Sequence, residues 1–581
     1  MPMRFLLPFL ALLAAAPAFS ASPADTAFEA LAKEDQDWSQ ADRGLIDGED
    51  DDRIAPRLPD VTPPAQAKRL ATLEGYARRL AAIDPNALGE GRRTDAAIYR
   101  YQLDTRIARL RFRNWEMPFN SDSSFWGNLG YTAGRDFRTE ADYRNWIAQL
   151  RQLPAWFADQ TVNMRAGMAR GFTPPRMTLA GREASLDAIA DAADPTATSL
   201  YKPFAKMPAG MAPATAAGLR TEAAEAIRAA IPAYRALRGF VKADYIPKAR
   251  TTLSAAALPD GEAFYRAQIA EYATVAMTPA EIHRIGLTEM AAIRARMAGV
   301  MAETGFQGDF PAFLGFLRTD PRFYAKTPED LLKQAAWIAK QMDGKAATYF
   351  GHLPRRRFAI VPVPADIAPF YTAGRGGDGI YLLNTYDLPS RPLYQLAALT
   401  LHESAPGHAF QIPLARENRD RLPFRRNLYI SAYGEGWALY CETLGEEMGL
   451  YETPYDRFGM LSYQAWRAAR LVIDTGLHSM GWSREQAQAY LRDNTALSQH
   501  EIETEVDRYI SWPGQALSYY LGEMAIRQGR AKAEKALGPK FNIRAFHDMI
   551  LALGSVPLPV LDQAVDGFIA KGGIGPYPDE E

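Results

Sequence analysis

Cysteine is almost missing from this sequence: Cys441 is the only one in 581 residues. An internal disulfide is therefore excluded, and stability has to come from packing whatever the redox state of the compartment. Net charge is nearly absent too, at -2, and no Lys/Arg block is long enough to track phosphates. Nucleic acid is thus not an expected partner. No apolar run reaches the ~20 residues of a membrane span, since the N-terminal one from Phe5 to Phe19 is broken by Pro8 and Pro17. The glycine-rich stretch "AGRGGDG" lacks a following G-K-[ST], which excludes a phosphate loop.

What is present describes a large globular protein. With 48% hydrophobic and 23% charged residues, the chain can bury a core of one large or two medium domains. Its start combines Arg4, the apolar run, and small residues at Ala18, Ser20 and Ala21. This predicts a cleaved secretory signal over residues 1–21 and a periplasmic or secreted protein without a stable membrane anchor. From Asp25 to about Phe350 apolar residues recur at helical intervals, as in "TPAEIHRIGLTEMAAIRARMAGVMAETG", where Thr278 and Glu281 have capping-box spacing and Gly305 ends the run. We therefore expect a helical N-terminal region over 22–270 and a second region over 271–581. After Gly351, "RRFAIVPVP" and "GIYLLNT" flank "AGRGGDG" and read as two short strands, over about 356–385. Helices around "PLYQLAALTLHES" and "EGWALYCETLGEEMG" follow, over about 392–445.

Histidine is scarce, with seven in all, yet His402, His408, His478 and His500 fall in one hundred-residue stretch. There "HESAPGH" looks like H-E-x-x-H with the second histidine two residues late. A catalytic zinc takes three protein ligands, commonly two histidines and a carboxylate, and the reaction also needs a base. Residues four apart on a helix differ by ~40° and share a face, whereas residues six apart differ by ~240° and do not. Pro406, however, has no N–H for the carbonyl of His402 and its ring collides with that carbonyl, while Gly407 tolerates unusual dihedrals. A break is expected here. If it absorbs two residues, His408 returns to the side of His402, with Glu403 adjacent as general base.

The third ligand is sought in "YGEGWALYCETLGEEMG". Glu435 and Glu442 share one helical face, and Gly434 and Gly436 suit close approach by another helix. The residues alone leave a second reading open, in which the histidines are ordinary core or surface groups and the glutamates a solvated face. Two later motifs offer an oxyanion donor: His478, four residues after Asp474, or a phenol from Tyr519 or Tyr520. The arginines at 416, 419, 421, 425 and 426 read as a solvated loop, and "YTAGRGGDGIYLLNT" as an edge strand able to pair with an extended peptide.

Four segments in order, "HESAPGHAFQ" (402–411), "YGEGWALYCE" (433–442), "RLVIDTGLHSMGWS" (470–483) and "RYISWPGQALSYYLGE" (508–523), resemble the H-E-x-x-P-G-H signature set of the bacterial DUF885 family. That family is grouped with zinc metallopeptidases of the gluzincin type. The resemblance implies a mainly α fold, a large helical zincin-like clamshell with a small sheet beside the active-site helix. It also implies a Zn2+ cofactor held by His402, His408 and Glu435, with Glu403 as base. The expected activity is hydrolysis of short peptides. A metal-dependent amidase acting on non-peptide or cell-wall amides, and a periplasmic binding protein without catalysis, are the alternatives.

Overall fold

The computed structural model describes residues 22–42, 53–365 and 368–577; the expected signal segment 1–21 lies outside them. The protein is mainly helical, with one three-stranded sheet. Among the described residues no helix is long and apolar enough to cross a membrane.

Helices run from Pro23 to Tyr349 before any strand of the sheet appears. The expected capping box is present: the Thr278 hydroxyl accepts from the Glu281 N–H at 3.3 Å, and the Glu281 carboxylate accepts from the Thr278 N–H at 2.8 Å. It starts the Pro279–Glu303 helix, which packs along Pro454–Ser479. The contact is close because Gly286 carries no side chain; a Cβ there would lie 2.8 Å from Leu471. Pro454–Ser479 is buried along most of its length and forms the axis of the largest hydrophobic core, which gathers side chains from 255 onward together with Ile98 and Phe172. Its buried polar side chains, Arg467, Arg470, Asp474 and His478 among them, find partners on the helices packed around it. Residues 54–249 build a separate core around Glu140–Ala169 and Pro213–Phe240, and the first helices build a third.

The sheet has three strands rather than two: β1 (Ala359–Pro362), β2 (Gly374–Gly377) and β3 (Ile380–Leu383). The order is β1-β3-β2, with β1 parallel and β2 antiparallel to β3. The glycine-rich stretch, expected as a turn, is thus itself the edge strand β2. Glycine inside a strand marks a close backbone approach, and a Cβ on Gly376 would fall 1.8 Å from the carbonyl oxygen of Glu403. The loop of arginines also differs from its solvated expectation. Arg425 is buried and paired with Asp95 at 2.7 Å, Arg421 is buried and donates to the Ala415 carbonyl at 2.9 Å, and Arg416 pairs with Asp378 at 2.8 Å. Helix-end carbonyls and carboxylates from distant segments capture these guanidinium groups, which no local pattern in the sequence announces.

Candidate metal centre

The His402 helix (Leu393–Glu403) stops at Glu403, and the next helix starts at His408. Between them Ser404 takes φ -99, ψ -121 and Gly407 φ -75, ψ -133, neither of them helical, and the Ala405–Pro406 peptide is cis. The Gly407 N–H donates to the Leu401 carbonyl at 3.0 Å, six residues back. That ring is two residues longer than the i to i−4 ring of an α-helix. A Cβ on Gly407 would stand 1.9 Å from the His402 carbonyl oxygen, so only glycine fits the return. The Trp437 indole N–H pins the turn by donating to the Pro406 carbonyl at 2.8 Å.

The detour brings the two histidines face to edge, with ring centres 5.0 Å apart. His402, Glu403 and His408 each offer a donor atom within 4.8 Å of the other two. Glu435, on the Ser431–Glu447 helix, completes the group: its Oε2 lies 3.5 Å from His402 Nε2 and 3.4 Å from His408 Nε2. These spacings are long for N–H···O hydrogen bonds, which cluster at ~2.7–3.2 Å. Ligands at ~2.0–2.1 Å around a tetrahedral ion stand about 3.3–3.4 Å apart, so the donor set fits zinc. Electrostatics agree. Burial acts to discharge His402, yet its bonds to Glu435 and Glu442 outweigh that and raise it to about 9. Burial likewise opposes ionisation of Glu435, but His408 and His402 hold its carboxyl well below the usual carboxylate range. The centre calls for a positive charge among its carboxylates, which a proton or a metal ion can supply.

Outer partners aim the donors. Glu442 Oε1 accepts from His402 Nδ1 at 2.8 Å, which leaves Nε2 to face Glu435; this is the carboxylate–histidine arrangement that orients metal ligands. The Tyr429 hydroxyl donates to Glu435 Oε1 at 2.7 Å. His408 Nδ1 has no partner among the described residues, so the turn itself fixes its ring. Glu403 Oε2 accepts from the Gly376 N–H of β2 at 2.5 Å, which ties the prospective base to the sheet edge. Tyr429 and the Gly376 N–H escaped the sequence reading. The signal for the first was Gly434, where a Cβ would meet the Tyr429 ring at 2.4 Å.

The expected oxyanion donors separate. Burial raises the Tyr519 phenol and the Glu435 carboxylate raises it further, and the helix that carries Tyr519 meets the Glu435 helix where Gly522 packs on Gly436. Tyr520 turns away and donates to Glu289 at 2.6 Å. His478 is occupied elsewhere: its Nδ1 accepts from the Ala255 N–H at 3.2 Å and its Nε2 bonds the Tyr509 carbonyl at 2.9 Å. Burial lowers it to about 3. Asp474 does not orient it, since that carboxylate accepts from the Tyr265 hydroxyl at 2.5 Å and from the Gly514 N–H at 3.1 Å. His478 and Tyr520 are therefore packing groups here, because the helix face that carries each one points into the core or toward another helix.

Residues 40–565 match a family described as "Bacterial protein of unknown function (DUF885)". Two solved structures are similar in fold. A protein of Colwellia psychrerythraea, described provisionally as a lipoprotein, superposes with a TM-score of 0.81 at 25% identity, over 94% of this chain and 99% of that one. A protein of Shewanella oneidensis, described provisionally as a lipoprotein of unknown function, gives 0.69 at 19% identity over 94% and 99%. No curated protein matches.

Proposed function

The chain belongs to the bacterial DUF885 family, whose function is unknown, and from that premise we propose that it is a zinc-dependent hydrolase of peptide bonds in short peptides, exported from the cytoplasm and built as a gluzincin-type clamshell. The observation that carries this reading is the convergence of His402 Nε2, His408 Nε2 and Glu435 Oε2 with Glu403 beside them. Pure metal storage needs no carboxylate tied down next to the first histidine. The provisional description of the two structural neighbours as lipoproteins supports export.

His402, His408 and Glu435 would hold the ion. A bound zinc supplies Lewis acidity and makes water a nucleophile near neutral pH. Glu403, fixed by the Gly376 N–H, takes a proton from the attacking water and delivers it to the leaving amine. Tyr519 would donate its phenolic hydrogen to the developing oxyanion. The ligands are recessed, with side chains 3% (His402), 8% (His408) and 15% (Glu435) exposed. A centre this recessed would favour a short extended peptide over a folded protein surface.

The test is metal analysis together with hydrolysis of a broad set of free peptides by the parent and by Glu403→Gln. One zinc per chain in both proteins, with cleavage only by the parent, is expected. A parent without zinc, or with zinc unchanged after His408→Ala, overturns the ligand assignment. A zinc-loaded parent that cuts cell-wall amides but no peptide moves the substrate to the amidase class.

A further inference from the structure

Beside Tyr519 two guanidinium groups share one carboxylate. Arg470 donates from Nη2 to Glu505 at 3.0 Å and from Nε to the Tyr509 hydroxyl at 2.9 Å. Arg508 donates to both oxygens of the same Glu505, at 3.1 and 2.9 Å, and to Gln515 at 2.5 Å. Burial opposes the charge on Glu505, but Arg508 and Arg470 win and draw it down to about 2. The three charges therefore sum to one surplus positive charge.

Among the described residues no carboxylate other than Glu505 pairs with Arg470 or Arg508. Asp474, which Arg508 also feels, is turned to Tyr265 and Gly514, and burial lifts it to about 7. Arg467, one turn earlier on the same helix, leans on Glu442 at 3.6 Å, the carboxylate that also holds His402, and so does not offset the charge of Arg470 and Arg508. Arg470 is 3% exposed in its side chain, and its Nη1 has no acceptor among the described residues. A buried cation without its full set of partners is costly. Such a corner favours an incoming anion.

Its position ties it to the metal centre. The Arg470 guanidinium lies 4.2 Å from the centre of the Tyr519 ring. The hydroxyl of the adjacent Ser518 is 2.8 Å from that of Ser431, one turn before Glu435. The helix of Tyr519 thus joins the arginine pair to the helix that carries Glu435, and Arg508 keeps 18% of its side chain exposed.

We propose that Arg508, backed by Arg470 and Tyr519, binds a carboxylate of the substrate, and that this carboxylate is the free C-terminus of the peptide, so that cleavage releases a short C-terminal unit. The inference rests on the peptidase reading above. The Nε–Nη2 fork of Arg508 is taken by Glu505, so an incoming carboxylate would be gripped by the second hydrogens of its Nη1 and Nη2, the end of a planar guanidinium that also binds carboxylates with two N–H groups.

The test uses full-length zinc-loaded Glu403→Gln protein, which binds without turnover, titrated calorimetrically with Ala-Ala-Phe, its C-terminal amide, and the amide Ala-Ala-Glu-NH2. The free acid is expected to bind at least tenfold tighter than its amide. Arg508→Gln in the same background should abolish that preference and Arg508→Lys restore part of it, with unchanged circular dichroism. Equal binding of acid and amide overturns the inference. Tight binding of the glutamate amide overturns the C-terminal assignment in favour of an acidic side chain. In the active parent, equal cleavage of acid and amide removes this inference and leaves the peptidase reading intact. Cleavage of neither by the zinc-loaded parent strikes the peptidase reading itself.

Discussion

Glu442 stands with its Oε1 2.8 Å from Nδ1 of His402 while Nε2 of the same ring faces Glu435 across 3.5 Å. One imidazole is thus held from behind and offered forward. Glu442→Gln keeps the shape but weakens the hold, and a loss of ~10–100-fold in zinc affinity is expected. Competition with a chromogenic chelator measures it, and unchanged affinity would show that the turn alone orients His402.

Glu403→Gln should separate binding from chemistry. Its carboxylate is tied to β2 beside the histidines, so the amide should retain zinc while kcat falls by ~10²–10⁴-fold. Steady-state rates with parallel metal analysis decide this, and a variant within tenfold of the parent would remove Glu403 as the base.

The two adjacent tyrosines should behave differently. Tyr519→Phe removes a donor beside Glu435 and is expected to lower kcat by ~10²–10³-fold. Tyr520→Phe loses only its bond to Glu289 and should keep kcat within a few-fold. Equal effects from both would place the oxyanion donor elsewhere.

The Ser431–Glu447 and Ser518–Leu537 helices touch backbone to backbone. A Cβ on Gly522 would lie 1.8 Å from the Ala432 carbonyl oxygen, and one on Gly436 2.5 Å from the Gly522 Cα. Gly522→Ala should therefore destabilise the fold by at least ~1–3 kcal/mol and displace Glu435, one residue from the contact. Urea unfolding and zinc content report the two effects, and a variant with parental stability and metal content would contradict the packing.

His478 gives a prediction for pH. Burial depresses it from 6.5 to about 3, so the unfolded chain takes up this proton first. Its contribution to stability is complete above pH ~6.5 and is lost as pH falls toward 3, at up to ~1.4 kcal/mol per pH unit. His478→Gln should flatten the acid limb of the stability profile by that slope while leaving the zinc content intact. A parallel profile for parent and variant would show that His478 does not titrate in this way.

Several of these features were legible in the sequence because they are local. Pro406 lacks an N–H and Gly407 lacks a Cβ, so the helix had to break between His402 and His408; the i to i−6 bond from Gly407 to Leu401 is that break made visible. The capping box at Thr278, the long helices and the shared face of Glu435 and Glu442 likewise follow from spacing. The stretch "YTAGRGGDGIYLLNT" reads as an edge strand, but its glycine run reads as a turn because nothing local tells that the Glu403 backbone presses against Gly376. Tyr429 and Arg425 were hidden because their partners Glu435 and Asp95 are chosen by how helices dock, not by neighbouring residues.

Most helices, the break between His402 and His408 and the candidate donors follow from the sequence alone, since backbone chemistry and helical period act over a few residues; the third strand does not. Only the tertiary structure decided which donors meet. Packing carried Glu435 to the two histidines and Tyr519 to Glu435, while it turned His478 into the core and Tyr520 toward Glu289. Side chains on one helix are fixed in direction by that helix, but what they face is set by the elements packed against it.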